Sequence, residues 1–131
     1  MIGLDTNVLV RYLTRDDEAQ FRAARRLLEE LETSGEKAYL SVVVLAELAS
    51  VLTISYRFDR QTLASTLEQI LGTVELAVED RDLVGAALSE FVAGKAGFAD
   101  ALIGVRNHAA GCATTATFDR ALRGNRGFRV L

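Results

Sequence analysis

The chain has 131 residues, half of them apolar, a length and composition that suit one domain with a continuous core, and residues 1–131 are read as that single domain. Its longest uninterrupted aliphatic stretch, Val42 to Ala46, is far too short to cross a bilayer, and no basic segment leads into an apolar run at the N-terminus, so a soluble, cytoplasmic protein with no membrane partner is expected. One cysteine, one histidine and a formal charge of −3 exclude an intramolecular disulfide, a zinc cage of histidines and cysteines, and an overall basic surface.

In chain order, Met1 to Leu4 reads as a short strand reaching Asp5; being apolar throughout, it is expected to be central and buried on both faces. Asp17 with Gln20 three residues on resembles a capping box, opening a helix whose stripe is Ala24, Leu27, Leu28 and Leu31 and whose stop is Ser34-Gly35. A strand at Ala38 to Leu40 runs into Ser41, the N-cap of a helix from Val42 to Tyr56. Another helix follows from Asp59 to Leu71, ended by Gly72, and then a strand from Val74 to Val78. Leu83, Val84, Ala87, Leu88, Phe91 and Val92 define an amphipathic helix that Gly94 ends; Lys95-Ala96-Gly97 is a loop, and Phe98 to Ala109 is helical. Cys112 to Ala116 reads as a strand that keeps Cys112 in the core, Asp119 to Leu122 as a helical turn, and Phe128 to Leu131 as a last short strand. Short strands alternating with longer helices indicate an α/β sandwich with a mainly parallel sheet, since parallel neighbours need a crossover, usually helical.

Four acids stand where packing alone would not put them. Asp5 ends the first strand, where ligand sites of open α/β sheets lie, or else it caps a helix beginning near Asn7. Glu47 interrupts VVVLAELASVL, a helix apolar on nearly every side; Ser50 and Ile54 share its face and no lysine or arginine lies within a turn, so it needs a cation or a distant arginine. Asp100 falls in the first turn of the Phe98 to Ala109 helix, where the helix dipole also favours it. Asp119 follows Thr117-Phe118 after the fourth strand, again at a strand end or as a cap. Brought together, a pair of carboxylates about 4 Å apart repels by on the order of 4 kcal/mol at an effective dielectric of about 20, and a divalent cation removes that cost. Oxygen donors without histidine or cysteine suit Mg²⁺ or Mn²⁺. Thirteen of the fifteen basic residues are arginine, and from Asp119 onward Arg120, Arg123, Arg126 and Arg129 face one acid, a local +3 that is either an ion-paired surface or a phosphate-binding one.

The opening IGLDTNVLVRYL, the SVVVLAELASVL helix, the FADALIGV segment and the closing ATTATFD, in this order and near these spacings, resemble the PIN domain, and within it the VapC-type toxins of bacterial and archaeal toxin–antitoxin pairs. The resemblance covers almost the whole chain. It implies a PIN-like three-layer α/β/α sandwich with a mainly parallel five-stranded sheet, and a Mg²⁺-dependent endoribonuclease, with Mn²⁺ as the alternative ion, that cuts RNA to leave a 5′-phosphate and a 3′-hydroxyl. Asp5, Glu47, Asp100 and Asp119 match the family's acidic quartet of metal-binding, catalytic residues. Thr117 matches the hydroxyl residue two positions before the last acid and Asn7 a polar position beside the first, both placed to support the ligands. Lys95 and Arg120 are read as contacts to the RNA backbone. A homodimer and a cognate antitoxin are implied, the antitoxin's segment being expected in a groove between the helices of residues 17–31 and 42–56, along Phe21, Leu28 and Val51. Two other readings compete: a non-catalytic metal-binding or protein-interaction module that retains an acidic pocket, and a phosphatase of the haloacid-dehalogenase type with Asp5 as nucleophile. The phosphatase requires a second aspartate where this chain has Asn7.

Overall fold

Residues 1–131 are described by a computed structural model whose contacts fall into two units, Met1–Glu79 and Asp80–Leu131. The first runs β1 (Ile2–Gly3), α1 (Thr6–Thr14), α2 (Glu18–Ser34), β2 (Ala38–Leu40), α3 (Val42–Ile54), α4 (Arg60–Gly72) and β3 (Leu76–Val78). Its strands are parallel in the order β1-β2-β3, with Ile2 opposite Ala38 and Ala38 opposite Leu76, and helices fill the crossovers that parallel pairing demands. The helix starts are written in the sequence. Asp5, Asp17, Ser41 and Asp59 are N-caps whose side chains accept the N–H of Thr6, Gln20, Val44 and Thr62, each satisfying an amide the helix itself leaves unpaired.

The central strand of this unit is β2. Ala38 and Leu40 are fully buried and, with Leu45, Leu48 and Leu52 of α3 and Leu67 of α4, form the deepest part of its core; each large side chain removed from water contributes about 1.5–3 kcal/mol. The apolar helix α3 nevertheless keeps one face in solvent: Val43, Glu47, Ser50 and Ile54 are all exposed and follow one another at helical spacing. Where α1, α2 and α3 end or begin, Arg11 donates from Nη1 to Asp16 at 2.9 Å and from Nε to Gln20 at 2.7 Å, and the Tyr56 hydroxyl donates to the other Asp16 oxygen at 2.5 Å. These bonds, the tyrosine's first, hold the Asp16 carboxyl down at about 2, and Asp16 in turn raises the Arg11 guanidinium above its ordinary value.

The second unit runs α5 (Arg81–Ala93), α6 (Phe98–Ala109), β4 (Thr115–Thr117), a 3₁₀ turn (Arg120–Leu122) and β5 (Phe128–Val130), with β4 and β5 parallel and Thr115 opposite Phe128. Helices α5 and α6 pack on each other with Val84, Ala87, Phe91, Phe98, Ala101 and Leu102 buried, the rings of Phe91 and Phe98 meeting edge to face at 6.1 Å. A Cβ at Gly104 would stand 3.1 Å from the Phe128 ring, so a glycine in this helix permits α6 to approach β5 closely. Asp80, at the head of this unit, adopts a left-handed backbone with φ 46° and pairs with Arg106 at 3.0 Å.

Three expectations are corrected here. The five parallel strands hydrogen-bond as sets of three and two rather than as one five-stranded sheet, since β1 pairs only with β2 and β4 only with β5. Strand β1 accordingly holds an edge of its set, not the centre, with Ile2 43 % exposed; so short an apolar run does not distinguish one buried face from two. Cys112 is exposed. It precedes β4 rather than belonging to it, because Gly111 at φ 101° and the bond from the Cys112 N–H to the Asn107 carbonyl finish α6 first.

Candidate active site

In the first unit the C-terminal ends of the strands gather three acids or helix starts. Asp5 follows β1, is exposed, and caps α1 by accepting the Thr6 N–H on Oδ1 at 2.8 Å. The capping reading of this residue is met, and the cap uses only one of its two carboxylate oxygens. Asn7 is exposed in the first turn of α1. Ser41 follows β2 and starts α3, the helix that carries Glu47 on its solvent face. Glu47 is thus not a carboxylate sealed in a core, and the burial argument for a partner does not apply to it. Glu79, which the sequence reading passed over, follows β3 and accepts the Val42 N–H on Oε1 at 2.8 Å, while its own N–H donates to the Leu40 carbonyl. It pins the start of the Glu47 helix to the sheet. Its signal was available: like Asp5, it is an acid directly after a short apolar strand.

In the second unit Asp100 is half-buried in the first turn of α6. Its Oδ2 lies 3.3 Å from where a Cβ on Gly97 would stand, so the carboxylate curls over the helix start, where the dipole favours it. Asn107, near the other end of α6, donates to the Thr115 hydroxyl at 3.0 Å. This bond ties the end of α6 to the start of β4, the strand that Thr117 closes and Asp119 follows. Asp119 is exposed, caps the 3₁₀ turn by accepting the Ala121 N–H on Oδ1 at 2.9 Å, and donates its own N–H to the Thr117 hydroxyl at 3.0 Å. Arg120 and Lys95 are exposed, the latter in the loop between α5 and α6.

Two of the four acids thus stand in each unit. Ion pairs elsewhere, Arg11–Asp16, Arg15–Glu18, Arg25–Glu29 and Arg106–Asp80, use other carboxylates. No three histidine, cysteine, aspartate or glutamate side chains form a group that could hold a metal ion in this conformation. The donor chemistry of the four is nonetheless that of a hard divalent cation: carboxylate oxygens only, two of them oriented by caps that leave a second oxygen for a ligand. A cleft of about 660 Å³ opens between α1, α2 and α4, lined by Leu9, Tyr12, Leu28 and Ile70, whereas Phe21 is covered by Tyr12, stacked at 5.9 Å, and by Arg15. No helix is long and apolar enough to cross a membrane.

A VapC ribonuclease from Aquifex aeolicus (strain VF5) is 27 % identical over 128 residues, which cover 98 % of this chain and 93 % of that protein. No solved structure matches the chain. The profile of the PIN domain matches residues 2–126, and with its six helices and parallel strands alternating in the order observed, the chain belongs to the PIN domain family and its three-layer α/β/α class.

Proposed function

We propose that this chain is a divalent-metal-dependent endoribonuclease, the toxin of a type II toxin–antitoxin pair, and that Asp5, Glu47, Asp100 and Asp119 are its metal-binding, catalytic acids within a single domain of residues 1–131. The observation that carries the reading is an oxygen-only donor set, kept out of the neighbouring ion pairs, in a PIN chain similar along its length to a VapC ribonuclease. When bound, Mg²⁺ or Mn²⁺ supplies positive charge beside the scissile phosphate and a coordinated water of lowered pKa. The chain's own part is to hold and aim the oxygens. Caps at Thr6 and Ala121 fix the carboxylates of Asp5 and Asp119, the Thr117 hydroxyl fixes the Asp119 backbone, and Asn7 lies two residues from Asp5 on a helix start. Arg120 and Lys95 bind the RNA backbone, which a set of metal-bound carboxylates does not grip by itself.

A cognate antitoxin and a homodimer complete the reading, and the cleft between α1, α2 and α4 offers an apolar seat for the antitoxin's segment. The test is cleavage of a mixed RNA pool by the purified protein, with an Asp100→Asn variant prepared identically. Cleavage with Mg²⁺, its loss on chelation and a silent variant are expected. Undiminished cleavage after exhaustive chelation, or equal cleavage by the variant, overturns the assignment.

A further inference from the structure

Phe118 is the most exposed large apolar side chain of the protein, at 82 %. Burying such a ring stabilises a fold, and this fold leaves that gain unused. The segment carrying it is not loose. Thr117 accepts the Asp119 N–H at 3.0 Å on its hydroxyl and the Leu131 N–H at 2.9 Å on its carbonyl, Asp119 caps the next turn, and Leu122 anchors that turn in the core at 2 % exposure. The ring therefore stands out from a fixed backbone, directly between the hydroxyl and the acid already assigned to catalysis.

Its surroundings say what it can meet. Arg120 and Arg123 follow within five residues, Arg126 and Arg129 close behind, all exposed, and Asp119 is the one acid among them. Phenylalanine and arginine also meet at protein interfaces, so coverage of this ring by a second copy is an outcome that the test below must separate. An exposed aromatic residue followed closely in sequence by exposed arginines is a pairing suited to single-stranded nucleic acid: the π-face takes any base and the cations take phosphates.

We propose that Phe118 is a base-stacking residue, receiving the face of an unpaired nucleobase of the RNA while Arg120 and Arg123 hold the adjoining phosphates. The proposal rests on the ribonuclease reading and deepens it. The ring is one residue from Asp119, so a base on it belongs to a nucleotide close to the phosphate handled beside that acid. The enzyme then selects for unpaired RNA near the cleavage point rather than for one base, since stacking is tolerant of sequence.

The chain contains no tryptophan, so Phe118→Trp places a single indole reporter at the position. In a cleavage-silent Asp100→Asn background it is titrated with a single-stranded RNA oligonucleotide and with the same strand in a duplex, while the anisotropy of a labelled strand reports binding independently. Quenching of more than half the emission by the single strand, saturating with the anisotropy, and little change with the duplex are expected. Kinetics form a second arm: Phe118→Ala and Phe118→Leu raise KM for single-stranded RNA about tenfold, within what a stacked base contributes, with kcat within about twofold, and Phe118→Tyr stays near the parent. Melting temperatures of all variants should match, the ring being exposed. Binding by anisotropy without a change in indole emission, or a leucine variant equal to the parent, overturns the proposal. Blue-shifted, concentration-dependent emission before RNA is added also overturns it, because a second copy then covers the ring. Absence of both binding and cleavage by the parent protein is a different failure, that of the ribonuclease reading, and removes the proposal with it.

Discussion

A carboxylate that caps a helix through one oxygen is well suited to a double duty, and substitutions separate the two duties at Asp5. Asparagine retains an acceptor for the Thr6 N–H, so Asp5→Asn keeps stability within about 0.5 kcal/mol, whereas Asp5→Ala forfeits the cap and costs about 1 kcal/mol. Under the proposed function both also remove a metal-binding charge, and they are expected to lower Mg²⁺-dependent cleavage by at least about a hundredfold, as read from initial rates beside urea denaturation curves. Glu47→Gln should behave like Asp5→Asn: its side chain is exposed, and exposed substitutions outside a cap or ion pair usually change stability by less than about 0.5 kcal/mol. Large destabilisation by Glu47→Gln would make it a structural residue instead. Which acids to examine was legible from their positions after strands and within an apolar helix. Their surroundings were not: Glu47 lies on the one solvent stripe of α3, and the lone Cys112 falls on an exposed turn, because composition along a short window does not record which side of a helix the sheet covers.

Between elements, the hydrogen bonds around Asp16 tie the end of α1 and the start of α2 to Tyr56 beyond α3. Asp16 is held at about 2 in the fold, below the 3.8 of an unperturbed aspartate. A depressed carboxylate stabilises the fold fully above its unfolded value, and that contribution is lost as pH falls through 3.8 toward 2. Tyr56→Phe removes the largest cause of the depression. The variant should therefore be less stable than the parent at pH 7 and converge with it near pH 2, checked by urea midpoints across that range. In the core, Leu48→Ala should cost about 2–5 kcal/mol, Leu48 being fully buried in α3. Capping residues and stop glycines made most elements readable, and Ala38–Leu40 and Phe98–Ala109 lie where expected. Helix α1 was marked only by its start, since VLVRYL is apolar too densely to show a period. β4 begins at Thr115, three residues later than expected, where pairing with β5 rather than apolarity sets its start.

For the molecule as a whole, the α/β class with parallel strands was legible in the alternation of short and long elements, while the division of pairing into three strands and two was not, because hydrogen-bond partners at long separation leave no local mark. The net charge of −3 conceals a strongly basic C-terminal stretch, and RNA binding should show it. Affinity is expected to fall with rising salt, with a slope of about −0.7 per phosphate contacted, and Arg120→Ala should lessen that slope by about one such contact; an unchanged slope would show that Arg120 faces no phosphate. The same stretch has a practical side. From Ala96 to Leu131 there is not one primary amine, since every basic side chain there except His108 is a guanidinium. Lys37 and Lys95 are the two side chains of the sequence that amine-directed chemistry, whether a dye, a cross-linker, a resin or an acetyl group, can address. Tethering through Lys37 thus leaves every C-terminal arginine unmarked, and comparing that protein with one blocked at Lys95 isolates what this single lysine adds to the proposed grip on RNA.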